Sequence, residues 1–97
     1  MIVLLAKYYV KEGNMDAVLA AFAEAVPLVL ANEPECSRYE ISRAVEDPNL
    51  ILINERYADM AAVDFHRATP HFKEIVQGRI WPLLDNRVPE FFETVIA

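Results

Sequence analysis

Three side chains in this 97-residue sequence have the chemistry of proton transfer and sit where it could be used: Glu55, His66 and His71. Glu55 belongs to LILINERYA (50–58), where it alternates in step with Ile51, Ile53 and Tyr57. A strand there would aim the carboxylate into an apolar layer. A carboxylate so placed has a raised pKa or needs a partner, and either makes it a candidate acid or base. A structural carboxylate bonded to backbone or to an arginine across a sheet fits the same pattern. His66 falls three residues after Val63 and four after Ala62, on the inner flank of a helix. Imidazole suits general acid–base work near neutrality, although a helix-end histidine bonded to a carbonyl would look the same. His71 stands at the second position of a helix opened by Pro70, from where its ring could polarise an oxygen. These are the only two histidines. A five-residue step over a proline is the wrong spacing for two metal ligands on one helix face, so no metal is expected.

Tyr39, Tyr57, Phe65, Phe72 and Trp81 could line a flat pocket for an aromatic substrate, and the same spacings also suit plain core packing. Trp81, beside Pro82, could instead serve a subunit contact. Cys36 has only Arg38 as a basic neighbour and reads as a buried filler rather than a nucleophile.

Positioning these groups requires regular elements. Residues 2–10 (IVLLAKYYV) have the β-branched and aromatic content of a strand, closed by Glu12-Gly13-Asn14. From Met15 the apolar period changes: Met15, Val18, Leu19, Phe22, Val26, Val29 and Leu30 fall on one face of a long helix. Asn14 is its expected N-cap, and Pro27 should kink it or interrupt its hydrogen bonding. Cys36 to Glu46 alternates, with Tyr39, Ile41 and Val45 on one side, and Asp47-Pro48-Asn49 turns the chain into the 50–58 strand. Asp59 can cap a second helix, and Thr69-Pro70 opens another that buries Phe72, Ile75, Val76, Ile80, Leu83 and Leu84, with Pro82 distorting its last turn. Residues 87–96 make a final strand whose Pro89 suggests a sheet edge or a bulge.

This order predicts one domain over residues 1–97, of the α+β class: a ferredoxin-like βαββαβ (split βαβ) chain, an antiparallel sheet with helices on one face. Both faces of strands 2–5 and 50–58 are apolar, yet helices cover only one. The second face would be an association surface, most simply for a second copy, and a two-fold homodimer is expected.

Composition narrows the partners. The net charge is -6 with no lysine or arginine cluster, which disfavours nucleic acid and anionic membranes. Two glycines leave little room for phosphate-cradling loops. The N-terminus lacks the basic region and cleavage site of a signal peptide, and no apolar stretch is expected to reach membrane-spanning length. A lone cysteine fits a reducing, cytoplasmic setting.

Six motifs recur in order: Lys11-Glu12-Gly13; Glu33-Pro34-Glu35-Cys36 with Tyr39; Asp47-Pro48; Glu55-Arg56-Tyr57; Asp59-x-x-Ala62-x-x-x-His66; and Thr69-Pro70-His71-Phe72. Together they resemble the antibiotic-biosynthesis monooxygenase family of dimeric α+β barrels, over nearly the whole chain. One departure is Glu35, where family members usually carry glycine; if that glycine serves a positive φ, the turn here must differ. The resemblance implies a ferredoxin-like protomer that closes a barrel with its twin. It also implies a cofactor-independent monooxygenase that oxidises a quinol or phenol-type aromatic with O2. Such chemistry needs a base, anion stabilisation and a dry pocket, and no cofactor. A second branch, an isomerase of a small phosphorylated signal, is similar through Phe65-His66 and Thr69-Pro70-His71-Phe72-Lys73; its substrate would need Arg38, Arg43 or Lys73. A non-catalytic dimer that binds a small ligand is a third reading. The haem-degrading branch carries an asparagine, a tryptophan and a haem-ligating histidine at the positions of Ala6, His66 and Val76, so the resemblance does not extend to haem degradation.

Overall fold

The computed structural model describes residues 1–97. Strand β1 (Ile2–Val10) leads into helix α1 (Met15–Asn32), followed by β2 (Cys36–Arg43), β3 (Leu50–Tyr57), α2 (Met60–Ala68), a π-helical segment (Phe72–Ile80), a 3-10 turn (Trp81–Leu83) and β4 (Leu84–Glu93). The strands form one antiparallel sheet in the order β2-β3-β1-β4, which is the ferredoxin-like α+β arrangement.

Local chemistry accounts for most boundaries. Gly13, at φ +84, supplies the left-handed turn between β1 and α1 that a side chain would strain. Asp59 caps α2, its carboxylate accepting from the Ala62 N–H at 2.9 Å. Thr69 works in both directions. Its hydroxyl donates to the His66 carbonyl at 2.7 Å and accepts from the Phe72 N–H at 3.2 Å, so it closes α2 and opens the next helix. The Thr69-Pro70 start expected from sequence is therefore present. Pro89 lies on β4, an edge strand, where a missing N–H is tolerated. No residue other than glycine has positive φ, so Glu35 takes an ordinary backbone and the turn into β2 does without the family's glycine.

Several expectations are corrected. α1 buries Val18, Ala21, Phe22, Ala25 and Val29, while Leu30 is exposed: the helix rolls its small alanines toward the sheet, because close packing favours them there. Asn14 precedes α1 without a side-chain capping bond, and Pro27 is accommodated inside a continuous helix. α1 is also long and apolar enough, at 18 residues and mean hydropathy 1.5, to pass as a membrane-crossing helix, contrary to the expectation that no stretch reaches that length. Its sheet-facing side is that of a core helix. β2 ends at Arg43, leaving Val45 fully exposed beyond it. Leu84 starts β4 rather than ending a helix, and β4 stops at Glu93.

The core lies between the sheet and the helices, with Ile51, Ile53, Val63, Val76 and Ile80 inaccessible to solvent. The opposite sheet face has no protein layer over it. Val3, Leu5, Tyr9, Leu50, Leu52 and Val88 remain half-buried there.

Candidate active site

A cavity of about 340 Å³ opens between the sheet and the second half of the helical layer. β1 contributes Leu4, Ala6 and Tyr8, β2 contributes Tyr39, and β3 contributes Glu55. α2 adds His66 and Arg67, the helical stretch after it adds Phe72, Gln77 and Trp81, and β4 adds Arg87 and Pro89. The volume is in the range of small-molecule sites. Residues Phe72, Gln77 and Trp81 share this wall because the helix is wound with i→i+5 bonds, seen where the Trp81 N–H reaches the Val76 carbonyl. Trp81 is then held by its indole N–H, which donates to the Tyr8 hydroxyl at 3.0 Å.

Glu55 and His66 face this one cavity, with His66 Nε2 at 3.8 Å from Glu55 Oε1. Behind His66 lies a residue that the sequence motif contains but that sequence reasoning did not assign to the site. The Glu33 carboxylate, at the end of α1, accepts from His66 Nδ1 at 2.8 and 2.9 Å and from His71 Nε2 at 2.6 Å. Glu33 is 2% exposed, so these bonds are made out of water, where they are strong. Burial pushes the Glu33 carboxyl up, but the hydrogen bonds from His66 and His71 outweigh it, and its pKa lies below the usual carboxylate value.

An ionised carboxylate can only accept, so the proton facing it sits on His66 Nδ1. In the neutral ring this leaves the lone pair on Nε2. That nitrogen is buried and has no hydrogen-bond partner. A carboxylate that orients an imidazole whose other nitrogen faces an open cavity is the arrangement of a general base.

Glu55 is the second titratable group. Burial pushes its carboxyl up to about 7, against the pull of the Tyr57 hydrogen bond and the Arg67 charge and with a further push from the Glu33 charge. The Tyr57 hydroxyl donates to Glu55 Oε1 at 2.5 Å. Glu55 therefore lies in the apolar layer, as the strand alternation suggests, and can exchange a proton near neutrality.

The other expected site residues divide. Tyr39, Phe72 and Trp81 line the cavity. Tyr57 does not: it is wholly buried behind Glu55 and serves as that carboxylate's donor. Phe65 does not either, because it is 56% exposed and points along the outer side of α2 toward Pro34 and Cys36. His71 is a step removed from the cavity, and its contact with the site runs through Glu33. Burial first of all pushes the Cys36 thiol up to about 11, consistent with a filler. Arg38, Arg43 and Lys73, the cations considered for a phosphorylated substrate, are all outside the cavity, which holds Arg67 and Arg87 instead. Glu33, Tyr8, Arg67, Gln77 and Arg87 are the residues that sequence reasoning missed. Only Glu33 carried a signal, as a carboxylate in a shared motif.

Glu33, His66 and His71 also bring one carboxylate oxygen and two imidazole nitrogens within 4.8 Å of one another, a donor set that a divalent metal can use. The histidine spacing that argues against a metal pair on one helix does not apply across a helix junction. In this structure the three donors also bond directly to each other, one carboxylate between two imidazoles.

Comparison with known proteins agrees with the fold. The family model for antibiotic biosynthesis monooxygenase matches residues 1–78. A Caulobacter crescentus protein provisionally classed as an antibiotic biosynthesis monooxygenase superposes with a TM-score of 0.91 at 26% identity, covering 98% of this chain and 90% of that one. A protein of Shewanella oneidensis superposes with a TM-score of 0.88 at 30% identity, covering 99% of this chain and 92% of that one. With the motifs, the sheet order and the family match in agreement, this chain belongs to the antibiotic biosynthesis monooxygenase family.

Proposed function

We propose that this chain is a cofactor-independent monooxygenase that oxidises a hydroquinone- or phenol-type aromatic with molecular oxygen. The observation that carries the reading is the unpartnered His66 Nε2, oriented by Glu33 and set opposite Glu55 in a cavity walled by Tyr39, Phe72 and Trp81. His66 Nε2 takes the phenolic proton, giving an electron-rich anion. The anion passes one electron to oxygen, and the resulting substrate radical and superoxide combine into a peroxide anion. Loss of water, with the proton returned from His66 or Glu55, leaves the product. In sum the substrate gains one oxygen atom and loses two hydrogens, and the second oxygen atom leaves as water. A cytoplasmic setting belongs to the proposal, since the buried thiol of Cys36 has no cysteine to pair with.

The test is oxygen uptake by purified protein treated with a chelator, against a panel of hydroquinones. We expect enzyme-dependent uptake, one O2 per substrate, unchanged by chelation. No uptake above the spontaneous rate across the panel would reject the reading. Uptake abolished by chelation and restored by ferrous iron would move the chemistry to a metal held by Glu33, His66 and His71.

A second reading, an isomerase of a small phosphorylated carbonyl compound, is favoured by the same pair of proton-transfer groups 3.8 Å apart. Turnover without oxygen separates the two, because an isomerase proceeds anaerobically and the monooxygenase stops.

The homodimer is part of the same proposal. The bare sheet face presents Leu5, Leu50, Leu52 and Val88, and Arg56, which also points there, has a buried Nε without an acceptor. A second sheet would bury the apolar side chains and could supply that acceptor. Light scattering on a sizing column at micromolar concentration should return twice the chain mass of 11.0 kDa, and Leu52→Glu should return one. A monomer mass for the unaltered protein would reject the dimer.

A further inference from the structure

The cavity has one chemical feature that a neutral hydroquinone does not use. Two guanidiniums, Arg67 from α2 and Arg87 from β4, both line it. Neither forms an ion pair, in a chain whose net charge is -6 and where Arg79, by contrast, is paired with Glu24. Both are held against aromatic planes. The Arg87 guanidinium carbon sits 3.5 Å from the Trp81 ring centre, and that of Arg67 is 5.4 Å from the Phe91 ring centre. Stacking on a ring constrains a guanidinium while leaving its in-plane N–H donors free. Arg87 also leans on the Tyr8 hydroxyl, and the remaining in-plane donors of the two guanidiniums can meet an oxyanion.

We infer that Arg67 and Arg87 form an anion-binding subsite, and that the natural substrate is an aromatic bearing a carboxylate or phosphate beside the hydroxyl that His66 deprotonates. The inference rests on the proposed function for the location of the reacting hydroxyl, and adds the substrate's class. The subsite also bears on that chemistry. An anionic substrate would be drawn into a pocket that holds the Glu55 carboxyl, with the Glu33 carboxylate just behind His66, only if cations at the opening offset them. Both arginines are solvent-accessible, so the attraction should weaken with salt.

Trp81 is the sole tryptophan and lies in the wall, so its fluorescence reports occupancy without turnover. We would titrate hydroquinone, 2,5-dihydroxybenzoate and 4-hydroxyphenyl phosphate at low and high salt. The expected result is that at least one of the two anions binds about tenfold or more tightly than hydroquinone at low salt. That advantage shrinks at high salt and in Arg67→Gln and Arg87→Gln, and is lost in the double variant. Which anion gains more tells carboxylate from phosphate. Equal affinities for all three ligands, or an advantage that survives in the double variant, would overturn the subsite. Oxygen uptake with hydroquinone but no anion advantage would reject the subsite alone. Anion advantage with no uptake for any ligand would uphold it and reject the monooxygenase.

Discussion

His66→Ala should lower kcat for oxygen-dependent hydroquinone oxidation by about 10²- to 10⁴-fold, the usual contribution of a positioned general base. His66 is the only group in the cavity whose ring nitrogen is both free and backed by an ionised carboxylate. Its removal leaves Glu33 still bonded to His71 at 2.6 Å, so the junction between α2 and the next helix keeps one of its ties. His66→Gln serves as the companion variant, since it can keep a donor toward Glu33 yet has no basic nitrogen. Both variants should be nearly inactive and folded by circular dichroism. Glu33→Gln should be intermediate, because an amide cannot accept from both imidazoles as a carboxylate does, and its loss should appear as a shifted pH profile rather than only a lower rate. An oxygen electrode decides the matter. If His66→Ala keeps activity within about tenfold of the unaltered enzyme, histidine is not the base.

The second large effect concerns stability against pH. Glu55 has a folded-state pKa of about 7 against an ordinary value of 4.5. The folded state therefore holds its proton over a range in which the unfolded chain has released it. Stability contributed at Glu55 is fully present below the unfolded value and falls as pH rises toward 7, by about 3 kcal/mol in all. Glu33 has the opposite sign. Its pKa is lowered in the fold, so its contribution is present above the ordinary value and is lost as pH falls through the folded one. Urea unfolding across pH 5 to about 8 should show declining stability in the unaltered protein and a markedly flatter curve for Glu55→Gln, which cannot ionise. Parallel curves for the two proteins would show that Glu55 does not carry the effect. In the enzyme assay the same substitution should remove an activity limb near pH 7.

Both predictions depend on burial that was partly legible in the sequence. The alternation of Ile51, Ile53, Glu55 and Tyr57 puts the carboxylate in the core layer whatever the partner strands are, because successive strand side chains take opposite faces. The caps Asp59 and Thr69 follow from bonds made within three residues, and each is realised. Where sequence reasoning went astray, the deciding interaction was not local. Phe65 has the type and neighbours of a pocket residue, but α2 turns His66 and Val63 inward and Phe65 outward. The switch from α to π winding after Phe72 changes which residues share a face, bringing Gln77 to the cavity from a position that an ordinary helical period would not suggest.

From sequence alone come the element order, hence the ferredoxin-like α+β class and the family, together with the candidacy of Glu55 and His66. Periodicity, capping and turn chemistry act over a few residues and so leave a local record. The arrangement of the candidate site belongs to the tertiary structure. Glu33 meets His66 and His71 across separations of 33 and 38 residues, and Trp81 meets Tyr8 across 73. No short-range pattern encodes such pairings. They exist because α1 and the helices after β3 pack on one face of one sheet, and only that packing sets two histidines beside a proline against one buried carboxylate.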